Sequence, residues 1–330
     1  MKIAVDAMGG DRAPEVVVQG ALEAVSEYGI EVVLMGDEQA LRKGAGNDLD
    51  RPGIKVHHCD DVVFMEEQPM RAVRRKKNAS IRVAFEAVKG GEADAVVSAG
   101  HSGAMLASAI LTLGRLPGVE RPAFASIIPG AKGEVILIDV GANVDCRPVH
   151  LLQFGAMAHA FAKAFLGIKD PRVGLLSIGR EGGKGNEQVR LAHNLFKASP
   201  LPFAGNVEGR QVFDGKVQVV VCDGFVGNVV LKVLEGMAET VTAMLADSKS
   251  VIERAGCGET SSILTKLMKK RLDYEEYGGA PILGINGVGI VCHGASSSKA
   301  VKKAIKMAAE YREKDIPEKL AEYLARFQGT

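Results

Sequence analysis

The chain has 330 residues, 47% of them hydrophobic, with 41 basic against 40 acidic side chains and a net charge of +1. That is enough apolar material for one large core or two smaller ones, and the balanced charge argues against a nucleic-acid partner. Five cysteines without a C-x-x-C pair exclude zinc-knuckle and thioredoxin-type motifs and point to a reducing compartment.

Lys2–Asp6 reads as a short strand. Asp6 interrupts its apolar run at once, so this start is not a signal peptide. Met8-Gly9-Gly10-Asp11 and Pro14-Glu15 then lead into a helix over 16–28, with Pro and Glu suited to a first turn. Residues 31–36 form a second strand, a polar helix and loop run through Gly53, and 54–58 form a third strand. A basic run fills 71–77. Ser80 is placed to cap a helix ending at Lys89. Residues 95–98 form a strand that ends in Ala99-Gly100-His101-Ser102-Gly103, and an apolar helix follows to Leu113.

Two β-rich runs, 124–128 and 134–140, have no helix between them, which predicts antiparallel pairing; the second ends in Gly141-Ala142-Asn143. A long apolar helix covers 149–166. Residues 173–178 read as a buried strand and 188–197 as a helix. Strands at 203–208 and 217–221 lead to Cys222-Asp223-Gly224-Phe225-Val226-Gly227-Asn228 and a helix to about 245. Residues 248–273 look helical with a break at 256–258, strand-like segments fill 281–291, and two helices close the chain near 327. No uncharged apolar stretch reaches the ~18 residues of a spanning helix; the longest, from Leu151, meets Lys163. The expected protein is cytoplasmic, at most lying on a membrane surface.

Strands alternating with helices predict an α/β fold, a doubly wound mixed and largely parallel sheet, in one catalytic domain over 1–330 with 246–275 as a protruding helical segment. Six strand ends carry small or polar residues: Asp6 with Gly9, Gly10 and Asp11; Ser98 to Gly103; Asp139 to Asn143; Ser177 to Asn186; Asp223 to Asn228; His293 to Ser296. Were the strands parallel, these loops would gather along one edge, where open α/β sheets bind ligands.

The loop Gly182-Gly183-Lys184-Gly185-Asn186 combines bare backbone, a lysine and a helix start, a recipe for holding an anion such as phosphate. Gly185 follows Lys184 where a triphosphate loop needs Ser or Thr, and no G-x-G-x-x-G occurs, so a nucleotide cofactor is not expected. No D-x-x-x-D run falls on this edge, which lowers a metal-dependent dehydrogenase.

The chain resembles the bacterial phosphate acyltransferases of phospholipid synthesis, the PlsX family. The resemblance rests on Val5-Asp6-Ala7-Met8-Gly9-Gly10-Asp11, Ala72-Val73-Arg74-Arg75-Lys76-Lys77, Ser98-Ala99-Gly100-His101-Ser102-Gly103-Ala104, Asp139-Val140-Gly141-Ala142-Asn143, Lys184-Gly185-Asn186-Glu187, Gly205-Asn206-Val207-Glu208-Gly209, the 222–228 stretch, and Tyr277-Gly278-Gly279-Ala280-Pro281. His101-Ser102 stands where Asn-Thr is expected in many relatives, so a catalytic role for His101 does not carry over. The resemblance implies a fold like the isocitrate and isopropylmalate dehydrogenases and phosphotransacetylases. It also implies a homodimer attached peripherally to the inner membrane, working beside a membrane glycerol-3-phosphate acyltransferase. The implied reaction joins inorganic phosphate to the acyl group of acyl carrier protein, without cofactor or metal. A phosphotransacetylase-like enzyme using short-chain acyl-coenzyme A is the alternative.

Phosphate attacks a thioester once aligned, and a thiol of pKa about 8.5 leaves readily, so such an enzyme must chiefly position reactants and stabilise an oxyanion. Lys184 with Gly182, Gly183 and Gly185 is expected to bind phosphate. Asn143, Asn186, Asn228 or backbone donors would hold the thioester oxygen. Asp6, Asp139 and Asp223 fit either chemistry or loop capping, and His101 and His293 either acid catalysis or loop bonding. Cys146, Cys222 and Cys292 adjoin the same loops and leave an acyl-cysteine route open. The 71–77 run fits a solvated face, an acidic carrier protein or lipid headgroups. Residues 262–272 form a basic amphipathic pattern suited equally to a membrane surface or a dimer contact.

Overall fold

The structure, a computed structural model, describes residues 1–247 and 278–328. Eleven strands form one sheet in the order β3-β2-β1-β4-β11-β10-β5-β6-β9-β7-β8. They are β1 Lys2–Asp6, β2 Glu31–Gly36, β3 Ile54–His58, β4 Ala95–Ser98, β5 Ala123–Gly130, β6 Gly133–Ile138, β7 Val173–Leu176, β8 Phe203–Val207, β9 Val219–Val221, β10 Ala280–Leu283 and β11 Gly289–Val291. The described α-helices are α1 Glu15–Tyr28, α2 Glu38–Ala45, α3 Pro69–Arg75, α4 Ser80–Lys89, α5 Ser102–Thr112, α6 Pro148–Ala164, α7 Glu187–Ala198, α8 Gly224–Asp247, α9 Ser298–Glu313 and α10 Ile316–Gln328.

Alternation along each strand divides the apolar residues between two faces. Ile3, Val5, Val32, Leu34, Ala95 and Val97 join the core under α1, α6, α7, α9 and α10. Ala4 and Val96 join the core under α3, α4 and α5, with α8 packed at its margin. Gly20 lets α1 approach α9 closely, since a Cβ there would stand 2.6 Å from the Ser298 carbonyl oxygen. The helix α6 is buried nearly all round, with Phe154 and Phe161 fully enclosed.

The mixed α/β sheet and the antiparallel β5–β6 pair match the sequence pattern, but strand direction differs from the single parallel set that would line up all six loops. β3, β2, β1, β4 and β11 run one way. β6, β9, β7 and β8 run the other, with the antiparallel partners β10 and β5 between the two blocks. Two sets of carboxyl ends therefore exist. The six expected loops divide three and three between them.

Local corrections have clear causes. β7 stops at Leu176, and Ile178 is 83% exposed, so the buried strand expected to reach 178 ends two residues earlier. β9 begins at Val219, two residues later than expected. Ala79, not Ser80, is the cap of α4. Ser80 lies in the first turn and its hydroxyl donates to Asp6 Oδ1 at 2.6 Å instead. The basic run forms part of α3 with Pro69 at its start. The expected helix at 248–273, the amphipathic segment at 262–272, Cys257, Tyr277 and the protruding segment beyond Asp247 lie outside the described residues.

Candidate active site

A cavity of about 750 Å3 lies where the two strand blocks meet, within the ~300–1,000 Å3 of small-molecule sites. Gly100, Ser102, His293 and Gly294 reach it from β4 and β11, while Gly141 and Asn228 reach it from β6 and β9. Beyond these polar groups its walls are mostly apolar, with Ile127 and Ile128 on β5 and Leu231, Leu234, Met237 and Ala238 on α8, interrupted by Ser126 and by the Lys232–Glu235 ion pair at 2.7 Å. Four of the six expected loops thus meet, from strands of opposite direction.

On the first side, Asp6 is buried and its carboxylate accepts two hydroxyls, Ser80 at 2.6 Å and Ser98 at 2.7 Å. Burial pushes this carboxyl above its ordinary range, against the pull of Ser80, Ser98 and the Met8 amide. Ser98 Oγ also accepts the Gly100 N–H at 3.0 Å. Gly9 fits beneath because it lacks a side chain; a Cβ would meet Asp6 Oδ2 at 2.6 Å and the Gly100 nitrogen at 2.7 Å. The Asp11 N–H donates to the Gly294 carbonyl at 2.9 Å and joins the β1 and β11 loops. Gly10 adopts φ 119°, a conformation favouring glycine. Asp6, Gly9, Gly10, Asp11 and Ser98 therefore form the platform beneath the cavity and do not line it.

His101 caps α5, its Nδ1 accepting the Gly103 N–H at 3.2 Å. Gly103 sits against Pro69 of α3, where a Cβ would approach within 2.7 Å. His293 is exposed on the cavity wall, and its Nδ1 accepts the Ala295 N–H at 3.2 Å. Each ring thus uses one nitrogen on its own loop.

On the second side, Asp139 is completely buried. Its oxygens accept the Phe124, Gly141, Ala142 and Asn143 backbone N–H groups and the Asn143 side-chain amide. Burial pushes its carboxyl up, and these donors oppose that rise. Asn143 Nδ2 donates to Asp139 Oδ2 at 2.9 Å and to the Pro122 carbonyl at 2.8 Å. Both hydrogens of that amide are committed, so Asn143 braces the loop, contrary to its expected role as oxyanion donor. Asp223 Oδ1 accepts the Val226 N–H at 2.9 Å and starts α8. Gly227 lies directly against the Asp139 carbonyl oxygen. Asn228, one residue on, is exposed, lines the cavity and makes no side-chain hydrogen bond among the described residues.

The β7 loop does not enter the cavity lining. It flanks it: β7 pairs in parallel with β9, so both loops leave the same edge of the sheet, one strand spacing apart. Lys184 is exposed and forms no ion pair among the described residues. Gly182 packs on His193, whose Nδ1 contacts Asn206 Oδ1 at 2.9 Å; Asn206 Nδ2 in turn donates to the Glu181 carbonyl. Gly183 has open space where a Cβ would stand, and Gly185 holds φ 104°. Asn186 caps α7, its Oδ1 accepting the Val189 N–H at 2.9 Å, so that oxygen is occupied by the helix. Ser177 Oγ and Gln188 Nε2, buried at the base of this loop, find no hydrogen-bond partner among the described residues.

Burial pushes the Cys146 and Cys292 thiols up to about 12, and the Cys222 thiol well above its usual range. Burial thus disfavours the thiolate at all three, which weighs against an acyl-cysteine route through these residues. The apolar cavity wall on α8 went unread in the sequence. Its signal is present there: Val229 to Met237 carries apolar residues on more than one helix face.

A phosphotransacetylase from Streptococcus pyogenes superposes with a TM-score of 0.62 at 17% identity, covering 95% of this chain and 94% of that one. Together with a cavity at converging strand ends, this defines the chain as an α/β protein of the phosphotransacetylase fold. The family described as "Fatty acid synthesis protein" matches residues 1–319. The phosphate acyltransferase of Geobacter sulfurreducens is 50% identical over 98% of this chain and 94% of its own length. That of Pelotomaculum thermopropionicum is 51% identical over 94% and 91%. The chain belongs to the phosphate acyltransferase family and is an enzyme of that family. Among the described residues no helix is long and apolar enough to cross a membrane.

Proposed function

We propose that the enzyme transfers a long acyl chain from the thioester of acyl carrier protein to inorganic phosphate, giving acyl-phosphate and the free carrier thiol. The observation that carries this reading is the polarity gradient of the cavity. Asn228, Ser102 and His293 stand at its strand-end mouth, and α8 with β5 makes an apolar compartment behind them. A thioester head with a hydrocarbon tail matches both ends. Burying each CH2 of that tail contributes about 0.8 kcal/mol.

In this reading Lys184 and the amides of Gly182, Gly183 and Gly185 bind phosphate beside the β9 loop. The unpaired Ser177 Oγ and Gln188 Nε2 support a polar ligand at that loop. A phosphate oxygen attacks the carbonyl carbon, and the Asn228 amide donates to the developing oxyanion. The C–S bond then breaks as the oxyanion collapses, and the thiolate takes up the proton that the hydrogen phosphate gives up on becoming acyl-phosphate, leaving the carrier thiol. Asp223 sets the start of α8 and thereby the place of Asn228. Asp6 and Ser98 hold the loop that ends in Ser102.

A homodimer at a membrane surface, supplying acyl-phosphate to a glycerol-3-phosphate acyltransferase there, belongs to the same proposal. Phe225 and Val229 are exposed on α8 outside the cavity lining, an apolar edge that a second copy would cover. The test is phosphate-dependent acyl-phosphate formation from carrier-bound and coenzyme A-bound acyl groups of matched length. Preference for the carrier is expected. Preference for short acyl-coenzyme A would replace this reading with the phosphotransacetylase-like one, and absence of phosphate-dependent cleavage would end both.

A further inference from the structure

The chain is nearly neutral, yet Arg71 to Lys77 holds five bases and no acid. On α3, Arg71, Arg74 and Arg75 follow the i, i+3, i+4 spacing that puts side chains on one helix face. All three are exposed, and Ala72 and Val73 turn inward to the core. Lys76 pairs with Glu67 at 2.6 Å, stands 5.0 Å from the Phe64 ring centroid and is largely covered. Arg71, Arg74, Arg75 and Lys77 make no ion pair among the described residues. Glu66, in the loop before the helix, is exposed.

This cationic face adjoins the active-site mouth. Pro69, the first residue of α3, packs on Gly103, next to the cavity residue Ser102. Met65 lines the cavity and is 62% exposed. Phe64, its neighbour in the chain, and Met70 on α3 are exposed as well. Arg75 lies near enough to Glu67 to help hold its carboxyl down, but the five bases of this segment outnumber its acids, and a basic face next to exposed Phe and Met suits a protein partner with an acidic helix and an apolar edge.

We propose that α3, with Phe64 and Met70, is the docking surface for the acidic protein that carries the acyl thioester. This rests on the carrier-dependent reading of the active site given above. A partner seated on Arg71, Arg74 and Arg75 holds its thioester arm beside Met65 and Ser102, so the arm enters the cavity without crossing the protein surface. The charges act on encounter and affinity and take no part in the chemistry.

The test compares wild type with Arg71→Glu/Arg74→Glu/Arg75→Glu in steady state, using acyl carrier protein thioester and acyl-pantetheine, a protein-free thioester. For the carrier substrate, KM is expected to rise about tenfold or more with kcat little changed. Acyl-pantetheine turnover is expected to stay at the wild-type level, which also shows that the variant is folded. Arg74→Gln gives a smaller change in the same direction, and rising ionic strength raises the wild-type KM for the carrier but not that of the triple variant. An unchanged KM for the carrier would overturn the proposal, as would an equal loss on both substrates. Loss of binding to vesicles rich in anionic lipid, with carrier KM retained, would assign the face to a membrane and overturn it too. Wild-type enzyme that turns over acyl-pantetheine but not the carrier thioester would refute the carrier reading itself, and the docking surface with it.

Discussion

Ser98 joins Asp6 to the active-site loop: its hydroxyl donates to Asp6 Oδ2 at 2.7 Å and accepts the Gly100 N–H at 3.0 Å. Ser80 holds the other carboxylate oxygen at 2.6 Å and makes no hydrogen bond to that loop among the described residues. Removing either hydroxyl leaves a buried acceptor short of a donor, at a cost of roughly 1–3 kcal/mol. Ser98→Ala and Ser80→Ala are therefore expected to lower stability comparably in urea titrations. Only Ser98→Ala should also lower kcat. Equal kcat losses would show that the Ser98–Gly100 link does not position the site.

Gly227 admits the start of α8 against the Asp139 carbonyl oxygen, and backbone atoms cannot move aside there as a side chain would. Gly227→Ala forces α8 outward or distorts the Asp139 loop. A destabilisation of about 3 kcal/mol or more is expected, read as a fall in Tm. Gly183→Ala, where a Cβ has open space, should leave Tm nearly unchanged.

Burial holds the His159 ring below its usual pKa, and the Pro171 carbonyl bound to Nδ1 only partly offsets this. The unfolded chain takes up a proton near pH 6.5, while the folded ring resists until lower pH. Acidification through that window therefore favours the unfolded state. Stability is expected to fall from pH 7.5 to pH 5.5, with a shallower slope in His159→Gln. Denaturant midpoints at several pH values measure both. An unchanged slope in the variant would assign the effect to other groups.

Element type was legible where a strand carries its own apolar run or a helix its own period, but not at α3, whose seven residues are too few to show one and read only as a basic run. The Gly- and Asp-bearing strand ends were legible for the same local reason. Strand direction was not. Whether β6 runs with or against β4 depends on the β10–β5 insertion, which brings residues more than 150 positions apart in sequence into one sheet. Hydrogen-bond partners were hidden likewise. Ser80 looked like a cap because its neighbours are visible in sequence, whereas Asp6, 74 positions away, is not. Asn143 looked available for chemistry because its two acceptors, Asp139 Oδ2 and the Pro122 carbonyl, emerge only on folding.

Lys184 and Asn228 have separate duties in the proposed reaction and should separate kinetically. Lys184→Ala removes a charged partner worth about 1.5–3 kcal/mol, so KM for phosphate should rise about tenfold to a hundredfold. Asn228→Ala should lower kcat about a hundredfold or more, as loss of an oxyanion donor does, with KM for phosphate little changed. Initial rates over a phosphate series measure both. Unaltered phosphate saturation in Lys184→Ala would remove that loop from the phosphate site.

The compartment behind Asn228 is the centre of this account, and its contents can be measured. Ala238 lines the compartment on α8, away from the polar mouth. Ala238→Phe fills part of the space and leaves Asn228, Ser102 and His293 in place. The most direct measurement is kcat/KM of wild type and Ala238→Phe across acyl thioesters of increasing chain length. The variant is expected to retain wild-type activity on the shortest chains and to lose progressively more as the chain lengthens. A loss of the same size at every length would place the acyl chain elsewhere and contradict it.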